Sequence, residues 1–174
     1  MKIFLVGFMG CGKSYVGRRL AAKFGFQFVD VDSIIENTEG ATIAHIFTSQ
    51  GEPFFRQLES DTLKGLGKWD NIVIATGGGA ACFHNSMDWM NEQGLTIYLK
   101  ATPELLLSRL KNETNHRPIL GGRTDVDLLH FIENKVAERA QFYEQATITI
   151  EQITDGDQVV SDIVDALYNR VSVN

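Results

Sequence analysis

The chain has 174 residues, of which 44% are apolar and 22% are charged, and its net charge at pH 7 is −6. This length fits a single domain over residues 1–174, with the composition of an ordinary globular protein. Lys and Arg form no cluster, which excludes nucleic acid as the main partner because a phosphate backbone requires a concentrated basic surface. The sequence contains no run long enough to span a membrane and no signal-peptide pattern, and its two cysteines suit a reducing compartment, so we expect a cytoplasmic protein.

Short apolar runs alternate with helical segments along the chain. Strands are predicted at residues 3–6, 26–29, 72–75, 96–99 and 148–150. Helices are predicted at residues 14–24, 33–37, 42–49, 52–66, 83–93, 103–111, 125–144 and 157–170. This alternation predicts an α/β fold of three layers, α/β/α, in which helices cover both faces of a five-stranded parallel sheet.

One segment does not follow the alternation. Residues 112–124 read NETNHRPILGGRT, which is polar and basic and contains Pro118 and a glycine pair. The segment is long for a connection between two helices. We therefore expect a functional loop that closes over the site as a lid.

The first glycine-rich segment, residues 7–14, reads GFMGCGKS and matches the phosphate-loop pattern G-x-x-x-x-G-K-[ST]. It follows a predicted strand and opens a predicted helix, which is the context that the pattern requires. Lys13 is expected to reach the β- and γ-phosphates of ATP, and Ser14 to coordinate Mg²⁺. The expected ATP-binding residues of this segment are Gly10, Cys11, Gly12, Lys13, Ser14 and Tyr15.

A phosphate loop by itself does not separate a kinase from a switch GTPase or a regulatory nucleotide-binding module. A switch GTPase should also carry N-K-x-D and D-x-x-G segments. Residues 134–137 read NKVA, without the aspartate, and no D-x-x-G occurs in the sequence. These absences favour a kinase, and a regulatory module would have no need of the acidic and basic residues described next.

Two aspartates and a glycine run follow predicted strands at the edge of the sheet where ligands of α/β proteins collect. Asp30 and Asp32 could hold Mg²⁺ or accept a proton from an attacking hydroxyl, although Asp32 alone could also be the N-cap of the next helix. Residues 76–79 read TGGG. Glycines at this edge allow a ligand to approach the backbone closely.

Three arginines are candidates for binding an anion, because guanidinium groups match carboxylates and phosphates in shape and charge. Arg117 lies in the predicted lid, and Arg56 and Arg139 lie on predicted helices. The alternative for Arg56 is a surface salt bridge with Glu52 or Glu59 at helical spacing. The alternative for Arg139 is a solvated helix face.

The ordered set of motifs, GFMGCGKS, D-V-D, F-R-x-x-E, TGGG, R-P-I-L and R-x-x-x-Y, resembles that of the shikimate kinases over nearly the whole chain. The resemblance implies the P-loop fold of nucleoside monophosphate kinases and transfer of the ATP γ-phosphoryl group to the 3-hydroxyl of shikimate. It implies a substrate-binding region at about residues 33–63. ATP and shikimate are then the expected partners, Mg²⁺ the expected cofactor, and we expect a monomer.

The resemblance also implies a role for each matching residue. Asp32 resembles the acid that binds shikimate hydroxyls and acts as a base, and Asp30 the acid that holds Mg²⁺ through water. Arg56 and Arg139 resemble the pair that binds the substrate carboxylate. Arg117 resembles the lid arginine that binds ATP and stabilises the transferring group. Gly77, Gly78 and Gly79 form the glycine run at the shikimate site, and Lys13, Asp32 and Arg117 are the expected catalytic residues.

Two points stay open at this stage. Another small-molecule P-loop kinase, such as a gluconate kinase, shares the phosphate loop and is the alternative function. The adenine-contacting loop, near residues 152–155, carries no motif that assigns its residues.

Overall fold

The computed structural model describes residues 1–111, 124–152 and 156–171. Its strands are β1 (Lys2–Val6), β2 (Gln27–Asp30), β3 (Ile72–Ala75), β4 (Leu95–Lys100) and β5 (Ile148–Glu151). Its helices are α1 (Lys13–Phe24), α2 (Val31–Glu39), α3 (Ile43–Gln50), α4 (Glu52–Gly65), α5 (Ser86–Gln93), α6 (Pro103–Leu110), α7 (Asp125–Tyr143) and α8 (Gly156–Val171). Arg117, nearly all of the predicted lid, and most of the predicted adenine-contacting loop lie outside the described residues.

The five strands form one sheet in the order β2-β3-β1-β4-β5. Every neighbouring pair is parallel, with Leu5 of β1 aligned to Ala75 of β3 on one side and to Ile97 of β4 on the other. The predicted five-stranded parallel sheet is therefore confirmed. Parallel strands bring their carboxyl ends to one edge, so the segments after β1, β2 and β3 meet there.

Both faces of the sheet are buried, as the apolar character of its strands predicted. Along β1, Ile3 and Leu5 pack into a core with residues of α1, α6, α7 and α8. Phe4 and Val6, on the opposite face, pack with residues of α2, α3, α4 and α5. The alternation of side chains along a strand thus divides the core into two layers, which confirms the three-layer α/β/α arrangement.

Two helices differ from the prediction by two residues or more at a boundary. Helix α2 begins at Val31, and its N-cap is Asp30 rather than Asp32, because the Asp30 carboxylate accepts hydrogen bonds from the backbone N–H groups of Asp32 and Ser33. The helix predicted at residues 83–93 begins later, at Ser86. His84 and Asn85 adopt positive φ angles of 53° and 54°, which an α-helix does not accommodate.

Other boundaries follow their local chemistry. Thr102 caps α6 through a hydrogen bond from the Leu105 N–H to its hydroxyl, and Pro103 occupies the first turn. Gly51 ends α3. The segment expected to bind substrate, residues 33–63, consists of α2, α3 and α4. Within the described ranges no helix is long and apolar enough to cross a membrane.

Candidate active site

The loop between β1 and α1 curls around the ammonium group of Lys13. Lys13 Nζ donates hydrogen bonds to the carbonyl oxygens of Gly7 and Phe8, at 2.7 and 3.0 Å, and the side chain is buried. Gly10 and Gly12 have φ angles of +80° and +88°, which glycine adopts without strain. The loop is therefore folded as a phosphate cradle, with its cation already on the inside.

Ser14 and Asp30 meet across the first two strand–helix connections. The Ser14 hydroxyl donates to Asp30 Oδ2 at 2.5 Å, while Oδ1 of the same carboxylate caps α2. A hydroxyl and a carboxylate suit Mg²⁺, which takes only one or two protein oxygens and completes its shell with water and phosphate. The described residues include no group of three or more His, Cys, Asp or Glu side chains that could hold a metal.

The glycine run after β3 is required by close contacts with side chains. A Cβ atom on Gly77 would lie 2.1 Å from Glu59 Oε1 and 2.8 Å from Asp32 Oδ1. A Cβ atom on Gly79 would lie 2.6 Å from both terminal nitrogens of Arg56. The glycines thus allow two carboxylates and one guanidinium group, carried by α2 and α4, to converge on the backbone at the end of β3.

Arg56 is buried, with 8% of its surface exposed, in contrast to the surface salt bridge that was its alternative. The predicted pairs do form: Nη1 lies 2.8 Å from Glu59 Oε2, and Nη2 lies 3.1 Å from Glu52 Oε1. The guanidinium carbon also lies 4.6 Å from the ring centre of Phe83. Arg56 is therefore held in a defined position at the site by ionic and aromatic contacts.

Glu59 is a site residue to which the sequence-based reasoning gave no role in the site, beyond a possible salt bridge and the last position of the F-R-x-x-E motif. Its side chain is 2% exposed, and burial raises the pKa of its carboxyl group to about 7, against the opposing effect of Arg56. The nearby charge of Asp32 raises this pKa further. Among the described residues, Oε1 of Glu59 accepts no hydrogen bond. The signal in the sequence was the i, i+3 spacing to Arg56, which did not reveal that the pair is buried.

Arg139 points into the same region from α7. Its Nη1 donates to the carbonyl oxygen of Gly78 at 3.2 Å, and its guanidinium carbon lies 5.6 Å from the ring centre of Phe8. The Tyr143 hydroxyl donates to the same Gly78 oxygen. Burial raises the pKa of Tyr143, which keeps this hydroxyl protonated as a donor. The alternative of a solvated helix face for Arg139 is therefore wrong, because the side chain is turned inward onto the glycine run.

The two halves of the site are in contact. A Cβ atom on Gly78 would lie 3.1 Å from the backbone nitrogen of Met9 in the phosphate loop. The structure thus brings together Lys13, Ser14, Asp30, Asp32, Arg56, Gly77, Gly78, Gly79 and Arg139 at one edge of the sheet. Their predicted roles in binding and catalysis remain predictions.

Three further observations concern the expected ATP side. The Tyr15 side chain is exposed, and its hydroxyl donates to Asp157 Oδ1 at 3.0 Å in α8 rather than entering the loop. Arg109 donates to the carbonyl oxygen of Gly10 at 3.2 Å, and Gln152 donates to that of Cys11 at 2.8 Å. The sequence-based reasoning missed Arg109 and included Gln152 only as the start of the expected adenine-contacting loop, because neither residue belongs to a motif and only tertiary structure brings them to the phosphate loop.

Known proteins of one family are similar to this chain in sequence and in fold. The family model for shikimate kinase matches residues 9–168. The shikimate kinase of Azobacteroides pseudotrichonymphae is 40% identical over 173 residues, covering 98% of this chain and 99% of that protein. A crystal structure of shikimate kinase from Bacteroides thetaiotaomicron matches with a TM-score of 0.92 and 37% identity, covering 97% of this chain and 98% of that one.

A structure of the Acinetobacter baumannii shikimate kinase in complex with shikimate matches with a TM-score of 0.88 and 34% identity, covering 97% of this chain and 93% of that one. The alternative family is more distant. A gluconokinase from Sinorhizobium meliloti covers 97% of this chain and 96% of its own with a TM-score of 0.56, but its identity of 17% shows a shared fold alone. With a family model that matches most of its length and relatives of this similarity, the chain belongs to the shikimate kinase family.

Proposed function

We propose that this chain transfers the γ-phosphoryl group of ATP to the 3-hydroxyl of shikimate, giving shikimate 3-phosphate and ADP. The observation that carries the proposal is the contact between the two halves of the site. The glycine run on which Asp32, Arg56 and Arg139 converge lies against the phosphate loop at Met9. An acceptor bound to those side chains would therefore lie beside the terminal phosphate of a nucleotide in the loop.

On the ATP side, the backbone N–H groups of the phosphate loop and the start of α1 bind the phosphates. Lys13 exchanges its bonds to the carbonyl oxygens of Gly7 and Phe8 for bonds to phosphate oxygens. The Ser14 hydroxyl, and Asp30 through water, would hold Mg²⁺. This ion would neutralise charge on the phosphates.

On the acceptor side, the two arginines match the one charged group of shikimate, its carboxylate. Arg56 is fixed by Glu52 and Glu59, and Arg139 is anchored on the Gly78 carbonyl, so both guanidinium groups are ordered before substrate binds. Asp32, beside Gly77, accepts a hydrogen bond from the attacking hydroxyl and orients it. When the hydroxyl oxygen bonds to phosphorus and the bond to ADP breaks, its proton is taken up by Asp32 or by solvent.

Three expectations complete the proposal. Arg117 would contact the transferring phosphoryl group, where a guanidinium stabilises the charge of the transition state. The protein would act as a monomer, which light scattering coupled to size-exclusion chromatography can check. The enzyme would be cytoplasmic, where ATP and Mg²⁺ are supplied.

The test is ADP release measured with shikimate, gluconate and nucleoside monophosphates as separate acceptors, each with Mg²⁺ and then with excess chelator. We expect turnover with shikimate that depends on Mg²⁺, and only background ATP hydrolysis with the other acceptors. Turnover with gluconate and none with shikimate would overturn the proposal in favour of the alternative kinase. ATP binding with no turnover on any acceptor would indicate a regulatory module.

A further inference from the structure

Two side chains from distant parts of the chain donate hydrogen bonds to the backbone of the phosphate loop. Arg109 lies in the last turn of α6, and Gln152 follows β5 directly. Gln152 is 5% exposed, and its backbone N–H donates to the carbonyl oxygen of Lys100 at 2.8 Å. The sheet therefore fixes the point from which the Gln152 side chain extends.

The Gln152 amide makes one bond as a donor and one as an acceptor. Nε2 donates to the carbonyl oxygen of Cys11 at 2.8 Å, and Oε1 accepts from Arg109 Nη1 at 2.9 Å. This orientation of the amide is fixed by its partners, because a carbonyl oxygen only accepts and a guanidinium group only donates. Since Arg109 Nη1 also donates to the carbonyl oxygen of Gly10, at 3.2 Å, two consecutive carbonyl groups of the loop are held from outside.

Holding a carbonyl group also orients the N–H of the same peptide. In a trans peptide these two groups point in opposite directions. The bond to the Cys11 oxygen therefore turns the N–H of Gly12 away from Gln152. Gly12 has a φ of +88° and no Cβ atom, so its own conformational preferences restrict the backbone weakly. The hydrogen bond from Gln152 to the Cys11 oxygen is therefore what fixes the direction of the Gly12 N–H.

We propose that Gln152 is a positioning residue for nucleotide binding, which fixes the Gly12 N–H of the phosphate loop and the guanidinium group of Arg109. The inference rests on the proposed function in that the ligand is a nucleotide with phosphates in this loop. Glutamine suits the position because it supplies a donor and an acceptor from one planar group. Leucine would supply neither, and glutamate would supply the acceptor for Arg109 but no donor for Cys11.

The experiment compares Gln152→Leu and Gln152→Glu with the unaltered protein. The control is Gln141→Ala, which removes an exposed glutamine of α7 whose amide, among the residues that the structure describes, bonds only to its own helix, at the Glu138 carbonyl oxygen. Isothermal calorimetry measures the Kd of ADP, and steady-state kinetics measure kcat and both KM values. We expect Gln152→Leu to raise the Kd of ADP and the KM of ATP about tenfold, with the KM of shikimate changed less than twofold.

Gln152→Glu should raise the Kd of ADP at least threefold, because an acceptor then faces the Cys11 oxygen although the pair with Arg109 is kept. An equal rise in both KM values, or an unchanged Kd of ADP in both variants, would overturn the inference and leave Gln152 a purely structural residue. If Gln152→Leu does not fold, the Kd of ADP for Gln152→Glu alone decides whether Gln152 positions the phosphate loop. If the unaltered protein binds ADP but does not phosphorylate shikimate, the proposed function fails, while these titrations still test Gln152.

Discussion

Arg56 and Glu59 form a buried ion pair, with Arg56 Nη1 2.8 Å from Glu59 Oε2, at the point where the proposed substrate carboxylate must bind. The carboxylate of Glu59 occupies part of the hydrogen-bonding capacity that Arg56 would offer to shikimate. Because burial raises the pKa of Glu59 to about 7, the charge of this competing group changes within the physiological range.

The first prediction concerns stability. The folded-state pKa of Glu59 is about 7 and its unperturbed value is 4.5, so the folded state binds this proton more tightly than the unfolded state. Its contribution to the free energy of unfolding is greatest below pH 4.5 and is lost as the pH rises through 7, by about 3 kcal/mol at most. In Glu59→Gln this titrating group is absent. The free energy of unfolding of that variant, measured with urea, should therefore fall less between pH 5 and pH 8 than that of the unaltered protein.

Glu52→Gln is the matched control, because Glu52 pairs with the same arginine but is half exposed. Its unfolding free energy should keep the pH dependence of the unaltered protein. Parallel curves for Glu59→Gln and the unaltered protein would show that Glu59 does not titrate in this range.

The second prediction concerns substrate affinity. When Glu59 is ionised, it competes with the substrate carboxylate for Arg56, so the KM of shikimate should rise severalfold from pH 6 to pH 8. Shikimate itself stays ionised throughout this range, and the KM of ATP provides an internal comparison. In Glu59→Gln the rise should be absent. A rise of the same size in that variant would place the titrating group elsewhere.

The third prediction concerns the glycine run. Gly79→Ala places a Cβ atom 2.6 Å from the Arg56 guanidinium group, which must then move away from the acceptor site. The KM of shikimate should rise at least tenfold, while the Kd of ADP stays within about twofold. The control is Gly65→Ala, where a Cβ atom meets nothing within 4 Å. If both substitutions raised the KM of shikimate equally, the effect of Gly79→Ala would not come from contact between its Cβ atom and Arg56.

The fourth prediction separates the two proposed roles of Asp32 and Arg139. Asp32→Asn should keep ADP affinity and lower kcat by about 10²–10⁴-fold, as expected for loss of a group that orients or deprotonates the hydroxyl. Arg139→Ala should instead act mainly on the KM of shikimate, because it removes a carboxylate partner. Near-normal turnover of Asp32→Asn would remove Asp32 from the catalytic role.

Lys135→Ala is the control for Arg139→Ala, since Lys135 is a cation of the same helix that pairs with Glu138 at the surface. It should leave both KM values unchanged. If Arg139→Ala raised the KM of ATP as much as that of shikimate, Arg139 would not be a residue specific to the acceptor.

Features decided by local chemistry could be predicted from the sequence. The five strands, the cap at Thr102 and the phosphate loop with Lys13 depend on residues that are neighbours along the chain. The order of the motifs was specific enough to indicate the family. The start of α2 was predicted two residues too late, at residue 33 instead of Val31, because Asp30 and Asp32 are both acceptable N-caps and only the backbone path distinguishes them.

The sequence by itself therefore determined the class of the fold, the nucleotide-binding loop and the family. Only the tertiary structure decided the environment of each side chain: the burial of Arg56 with Glu59, the inward turn of Arg139, and the contacts of Gln152 with the phosphate loop. The physical reason is that burial and charge depend on groups far apart in the chain. Gln152 and Cys11 are 141 residues apart, and no local pattern records a contact at that separation.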